Sequence, residues 1–321
     1  MGEFELIRHY FSAAACAQAA DGVALGIGDD CALLEVPAGE QLAVSTDTLV
    51  AGVHFPAEAA GRLLGQRALA VSVSDLAAMG ATPLAFTLAL TLPEVSPDWL
   101  ADLTAGLESM ARQCGVRLVG GDTTRGPLSL TLTVFGRVPK GLALTRAGAR
   151  VGDLLCVGGS LGDAAGALPF VLGEREGQEG ADQLLAHYWS PPPQLALGQA
   201  LRGLATAALD VSDGLLADCG HIARASGVAL VVERERVPVS AALHACAGDE
   251  TARQLALGGG DDYVLAFTLP AEKLDALRAM GQPVHVIGRV EAGQGVHLQD
   301  AEGRAIKPLY AGYQHFGSQR D

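Results

Sequence analysis

Leu84-Ala85-Phe86-Thr87-Leu88-Ala89-Leu90-Thr91-Leu92 carries leucine or phenylalanine on every even position, and Leu128-Ser129-Leu130-Thr131-Leu132-Thr133-Val134 repeats the alternation with serine and threonine between apolar residues. Successive side chains of a strand point to opposite faces, so this period of two predicts two half-buried strands. Between them, Ser96-Pro97-Asp98 supplies an N-cap residue, a proline for the first helical position and an early acid. These signals predict a helix running to about Arg112 and stopping near Gly115. A further helix is expected over roughly 61–79, although Val71-Ser72-Val73 includes β-branched residues of lower helix propensity.

Beyond Pro139-Lys140-Gly141 the pattern changes to shorter apolar strands alternating with helices. Leu154–Val157 reads as a strand, a helix follows Gly162, a strand precedes Asp210, and a helix runs from Leu215 to about Ala225. This half therefore reads as α/β. Gly173 to Asp182 is expected as a surface loop, and Pro191-Pro192-Pro193 as a rigid bend before the next helix. The boundary is placed near residues 139–146, giving domains 1–140 and 141–321, as the chain length also suggests.

Of the 321 residues 49% are hydrophobic, but no uninterrupted apolar run reaches the ~18–20 residues that a membrane span requires. The amino terminus reads Met-Gly-Glu-Phe-Glu-Leu, acidic where an export signal is basic, so a cytoplasmic protein is expected. The formal charge of −14, from 36 acidic against 22 basic residues, repels nucleic acid and anionic membrane alike. Six cysteines show neither a Cys-x-x-Cys pair nor the density of a disulfide scaffold, and are read as reduced, mostly buried thiols.

The three lysines, Lys140, Lys273 and Lys307, follow no Gly-x-x-x-x-Gly spacing, which excludes a P-loop, and the motif set of a protein kinase is missing as well. Acidic residues instead recur where elements begin or end: Gly28-Asp29-Asp30, Thr46-Asp47, Ser74-Asp75, Gly121-Asp122, Asp210-Val211-Ser212-Asp213 and Gly260-Asp261-Asp262. Any one of them is as well read as a turn or helix cap. Together they suit hard divalent cations such as Mg²⁺, with nucleotide phosphates completing the coordination. On composition and spacing alone both readings stay open.

Five segments carry a resemblance. Gly26-Ile27-Gly28-Asp29-Asp30-Cys31-Ala32, 45–55 (Ser-Thr-Asp-Thr-Leu-Val-Ala-Gly-Val-His-Phe), 73–81 (Val-Ser-Asp-Leu-Ala-Ala-Met-Gly-Ala), Gly120-Gly121-Asp122-Thr123-Thr124 and Asp210-Val211-Ser212-Asp213-Gly214-Leu215 are similar, in order, to the signatures of the bacterial thiamine-monophosphate kinase family. The likeness continues through Gly259-Gly260-Asp261-Asp262-Tyr263 to Gly312-Tyr313-Gln314-His315-Phe316. It implies an α+β amino-terminal domain, whose mixed or antiparallel sheet pairs with that of a second subunit to close a barrel, followed by an α/β carboxy-terminal domain. A homodimer is implied in the same way.

By that resemblance Asp30, Ser45, Thr46, Asp47, Asp75, Asp122, Asp210 and Asp213 would bind several Mg²⁺ ions. Gly121, Asp122, Arg146 and Ser212 would contact ATP, the co-substrate. His54, Asp261 and Tyr313 would hold thiamine monophosphate. Arg146, Asp122 and Asp213 would carry catalysis, with Arg146 stabilising charge on the transferring phosphoryl group. An aromatic ring suits the cationic thiazolium and an acid balances its charge. His221 is read as structural, and Cys114, where the family often has tyrosine, is not counted as a nucleotide contact. The acceptor would be an oxygen of the substrate's own phosphate, whose second pKa is about 6, so no general base is needed. Two rivals fit less well. One is another ATP-using enzyme of the same superfamily, of the selenophosphate or aminoimidazole ribonucleotide synthetase type, of which a selenophosphate synthetase would pair an amino-terminal Cys with a lysine that Cys16 lacks. The other is a non-catalytic nucleotide-binding regulator, which metal ligands would serve poorly.

Overall fold

The computed structural model describes residues 2–307, so Tyr313 lies outside the described residues. The chain divides into two compact units, Met1–Ala143 with Trp189–Leu195, and Leu144–Tyr188 with Ala196–Asp321. The first opens with a short helix α1 (Glu3–Leu6), continuing through a π-helical turn, and a small antiparallel pair, β1 (Val23–Leu25) and β2 (Leu33–Leu34). Then follow β3 (Glu40–Val50), α2 (Gly61–Ala78), β4 (Thr82–Leu92), α3 (Pro97–Cys114), β5 (Arg117–Arg125) and β6 (Ser129–Pro139). The four long strands form one mixed sheet in the order β3-β6-β4-β5, with β4 and β5 parallel and the other pairs antiparallel.

The alternation in β4 and β6 decides which side of this sheet is covered. Phe86, Leu88 and Leu90 lie in register with Val134, Leu132 and Leu130, all fully or nearly fully buried. α2 lies on this sheet and packs along α3. The two helices approach through glycines: a Cβ on Gly61 would stand 2.4 Å from the Trp99 carbonyl oxygen, one on Gly65 2.4 Å from that of Leu103, and one on Gly106 2.1 Å from that of Arg62. Close backbone approach of this kind is open only to residues without a side chain. Val71-Ser72-Val73 stays helical because all three side chains are buried, so packing overrides propensity. α3 starts on Pro97 and ends at Gly115 with φ 71°, although the Ser96 hydroxyl makes no capping bond.

The second unit contains β7 (Leu154–Val157), α4 (Asp163–Val171), α5 (Ala181–Trp189), α6 (Leu195–Ala200), β8 (Ala207–Asp210), α7 (Leu215–Ser226), β9 (Ala229–Glu233), α8 (Ala241–Ala247), α9 (Asp249–Gly258), β10 (Leu265–Leu269), α10 (Leu274–Ala279), β11 (His285–Glu291), β12 (Gly295–Gln299) and β13 (Ala305–Ile306). Strands and helices alternate, yet of the pairings among the described residues only β9 with β12 is parallel. The sheet order is β13-β12-β9-β11-β7-β10-β8. Leu215, Cys219 and Ile222 of α7 join Leu209, Leu230 and Ala266 in its core. All six cysteines are free thiols, five of them buried and Cys31 exposed.

The contact of α2 with α3 can be tested by adding one methyl group. Gly106→Ala would push its Cβ into the Arg62 carbonyl, and overpacking of this kind costs roughly 1–3 kcal/mol. A lower urea midpoint at unchanged slope is expected, and an unchanged midpoint would show that the two helices are not in contact there.

Candidate active site

On β3, period-two geometry separates neighbours in the sequence. Ser45 and Asp47 face α2: the Ser45 hydroxyl donates to Asp75 Oδ2, and the Ser72 hydroxyl bonds to Asp47. Burial, followed by the nearby Asp75 charge, pushes the Asp47 carboxyl up to about 6, against the pull of the Ser72 hydrogen bond. The Thr46 side chain stands on the opposite face, where its hydroxyl pairs with that of Thr133 at 2.9 Å, as Thr48 pairs with Thr131 at 2.9 Å. Thr46 therefore does not bring its hydroxyl to Ser45 and Asp47.

Its main chain is placed differently. Ala51 N–H donates to the Leu128 carbonyl, while Val50 N–H points away from β6 to His54 Nδ1, at 3.0 Å. Alternate residues of an antiparallel strand address the same neighbour, so the Thr46 carbonyl points out of the free edge of the sheet. Because Nδ1 of His54 accepts a hydrogen bond, its ring proton sits on Nε2 when the imidazole is neutral. Arg67 NH2 donates to the His54 carbonyl at 3.5 Å, holding the same turn.

A second group gathers along the other edge strand, β5. A cavity of about 150 Å³ is lined by Gly28, Asp29, Asp30 and Cys31 from one motif and by Gly120, Gly121, Asp122 and Thr123 from another, with Ile7 and Phe11 from the amino-terminal segment. Asp29 Oδ1 accepts from the Asp30 N–H at 2.9 Å, which shapes the acidic turn. Gly121 has φ 154°, and a Cβ there would stand 1.9 Å from the Leu88 carbonyl oxygen. Only glycine fits at this step of the β4–β5 ladder.

In the second unit the motif Asp210 to Leu215 leaves the end of β8 and enters α7. One side chain the motif reading did not select, Asp218, organises it: Oδ2 accepts from the N–H groups of Ser212, Asp213 and Gly214 at 3.0, 3.0 and 3.1 Å. Burial pushes Asp218 up to about 6 in spite of these bonds. Its place five residues after Asp213, in the first turn of a helix that opens on glycine, was the available signal. Asp213, Asp218 and His221 bring one ligand atom each within 4.8 Å of one another. Burial lowers the His221 pKa, helped by the Arg146 and Arg224 charges and opposed by Asp213. His221, expected to be structural, thus belongs to the environment of Asp213.

Arg146 is held through its backbone. The Ser226 hydroxyl donates to the Arg146 carbonyl at 3.2 Å and accepts from the N–H groups of Gly148 and Ala149, both at 3.1 Å. Asp261 lies on a turn tied to the Ser212 loop, its N–H donating to the Ser212 carbonyl at 2.8 Å. Cys114 is buried with its thiol against Met110. The candidate ligands are all oxygen donors, carboxylates with a hydroxyl and a carbonyl. That set fits Mg²⁺ and disfavours softer metals.

Comparison with known proteins follows the same division. Residues 28–138 match the AIR synthase related protein, N-terminal domain, and residues 150–301 match the corresponding C-terminal domain. The chain is 43% identical over 323 residues to the thiamine-monophosphate kinase of Escherichia coli (strain K12), covering 99% of both. It is also similar to the crystal structure of thiamine-monophosphate kinase from Stenotrophomonas maltophilia K279a, with a TM-score of 0.83, 48% identity, and coverage of 89% of this chain and 93% of that one. A structure of AaThiL complexed with AMPPCP and TMP superimposes with a TM-score of 0.79 and 30% identity, covering 88% of this chain and 89% of that chain.

The raised carboxyl of Asp47 has a measurable consequence in metal-free protein. Its folded value, about 6, exceeds its ordinary 3.8, so the folded state keeps a proton that the unfolded chain has released. The stability it contributes is complete below the ordinary value and is lost as pH rises through about 6. Urea unfolding in EDTA across this window should show Asp47→Asn flattening the decline, and parallel profiles for both proteins would contradict the assignment.

Proposed function

The chain belongs to the thiamine-monophosphate kinase family of AIR synthase related proteins, and from this premise we propose that it transfers the γ-phosphoryl group of ATP to the phosphate of thiamine monophosphate, forming thiamine diphosphate. The observation that carries the reading is that acidic motifs distant in the sequence meet in pairs within the first unit, with a further acidic motif in the second. Ser45, Asp47 and Asp75 meet where β3 faces α2, Asp30 and Asp122 line one cavity beside Gly121, and Asp210 to Asp213 form one loop.

Asp30, Ser45, Thr46 (through its carbonyl), Asp47, Asp75, Asp122, Asp210 and Asp213 would hold Mg²⁺ ions, which would supply the positive charge that phosphoryl transfer between two anions requires. Gly121, required as glycine by the β4–β5 ladder, lies in the wall of the cavity lined by Asp30 and Asp122, and Gly121, Ser212 and Arg146 contact ATP. Arg146, on a segment clamped by Ser226, stabilises the transferring group. The catalytic role of Asp122 and Asp213 would be carried by the positive charge of the ions they hold, not by direct contact with the anionic phosphates. His54, Asp261 and Tyr313, the last outside the described residues, would hold thiamine monophosphate, whose cationic ring suits an acid and an aromatic side chain. The acceptor phosphate is already largely ionised near neutral pH, so alignment and charge neutralisation suffice. Because ATP is the co-substrate and the six cysteines are free thiols, a cytoplasmic location is part of this reading. Among the described residues no helix is long and apolar enough to cross a membrane.

A homodimer belongs to the same proposal. β3 and β5 are opposite edges of the four-stranded sheet, roughly 14 Å apart at ordinary strand spacing, too far for one ion to join Asp47 to Asp122 within a single copy. Leu42 and Val44 are 45% and 54% exposed on the face of β3 turned away from α2. A partner whose sheet closes a barrel with this one would cover that face and set β3 of one protomer beside β5 of the other.

Two experiments test these readings. With ATP and Mg²⁺, thiamine monophosphate should yield thiamine diphosphate while thiamine stays inert, and Asp75→Asn should lower turnover by about 100-fold or more and shift the Mg²⁺ requirement upward. Turnover of thiamine at comparable efficiency, or near-normal activity of the variant at low Mg²⁺, would contradict the mechanism. For the shared site, Asp47→Asn and Asp122→Asn chains, each inactive alone, should recover roughly a quarter of normal activity when co-expressed in equal amounts, because half the dimers are mixed and each mixed dimer keeps one intact site. Absence of recovery would place both carboxylates in a site built by one protomer.

A further inference from the structure

Asp261 and Tyr263 are the non-glycine residues with positive φ among those described, at 68° and 53°. Asparagine and aspartate tolerate this region, whereas a tyrosine there is a conformational outlier that the surroundings must impose. Those surroundings are specific. Asp261 N–H donates to the Ser212 carbonyl and Tyr263 N–H to the Val211 carbonyl, both at 2.8 Å, so the turn rests on the loop that carries Ser212 and Asp213. A Cβ on Gly260 would stand 2.3 Å from the Ser212 carbonyl oxygen, which shows how close the two segments lie.

The residue between them anchors the turn from below. Asp262 is buried, with Oδ2 accepting from the Gly162 N–H at 2.7 Å at the start of α4. His187 Nε2 lies 3.2 Å from the Asp262 carbonyl oxygen and 3.8 Å from Oδ1. With Asp262 directed inward, the half-buried side chains of Asp261 and Tyr263 meet each other, and the Tyr263 hydroxyl donates to Asp261 Oδ1 at 3.0 Å.

We propose that Tyr263 is a positioning residue for the substrate: its strained backbone and its hydroxyl fix the rotation of the Asp261 carboxylate, so that this charge is presented to the cationic ring in one orientation. The inference rests on the reading that Asp261 faces thiamine monophosphate. Strain held by neighbouring structure is characteristic of sites where a group must be set before its ligand arrives. A carboxylate free to rotate would lose part of its attraction in ordering itself on binding. Tyr263 thereby contributes to substrate affinity without touching the reacting phosphates.

The test uses Tyr263→Phe, which keeps the ring and removes only the hydroxyl, and Asp261→Gly, which accepts positive φ and has no side chain to orient. Tyr263→Phe should raise KM for thiamine monophosphate roughly three- to tenfold while leaving KM for ATP and the thermal midpoint unchanged. In the Asp261→Gly background the same change should add nothing. Equal effects on both Michaelis constants, or an effect of Tyr263→Phe that persists undiminished in the double variant, would overturn the positioning role. If Asp261→Gly raises KM for thiamine monophosphate and Tyr263→Phe does not, the role of Tyr263 falls while that of Asp261 stands. If Asp261→Gly leaves that KM unchanged, both fall.

Discussion

The packing of α2 on β3 holds Asp47 in a place where burial first, and the neighbouring Asp75 charge second, disfavours its ionised form. Two like charges in a partly buried place cost on the order of a few kcal/mol, and water screens them poorly there. The packing that opposes the repulsion lies in the same elements. α2 is buried along most of its length, and its glycines let α3 approach to backbone contact. The Ser45 hydroxyl gives a hydrogen bond to Asp75, and Ser72 stands beside Asp47. Bound cations would remove the remaining conflict, which is why an arrangement unfavourable on its own suits a protein that handles polyphosphate.

The second unit meets a related demand through its backbone. Asp218 gathers three successive N–H groups of the loop 212–214, which leaves that loop one shape. The turn at 261–263 rests on this loop through two main-chain hydrogen bonds and is anchored by buried Asp262. Residues proposed for nucleotide, metal and substrate thus lie on two main-chain segments joined by hydrogen bonds. The functional side chains are few, and a larger number of polar groups hold them in place.

The sequence by itself determined several of the elements and the family. Period-two alternation in β4 and β6, the Ser96-Pro97-Asp98 start and the Gly115 stop are local signals, set by the geometry of neighbouring residues, and the strands and helix stand where they predicted. The acidic motifs were equally legible, because each lies in a short segment. Tertiary structure decided how these pieces combine. Only strand pairing shows that Thr46 turns its hydroxyl away from Ser45 and Asp47, and that Asp47 and Asp122 lie on opposite edges of one sheet. The antiparallel pairing of most of the second sheet, the loop held by Asp218 and the hydrogen bond from Tyr263 to Asp261 likewise depend on folding. The physical reason is that alternation and capping act over a few residues, whereas register, burial and the meeting of charges depend on segments distant along the chain, and no local pattern encodes them.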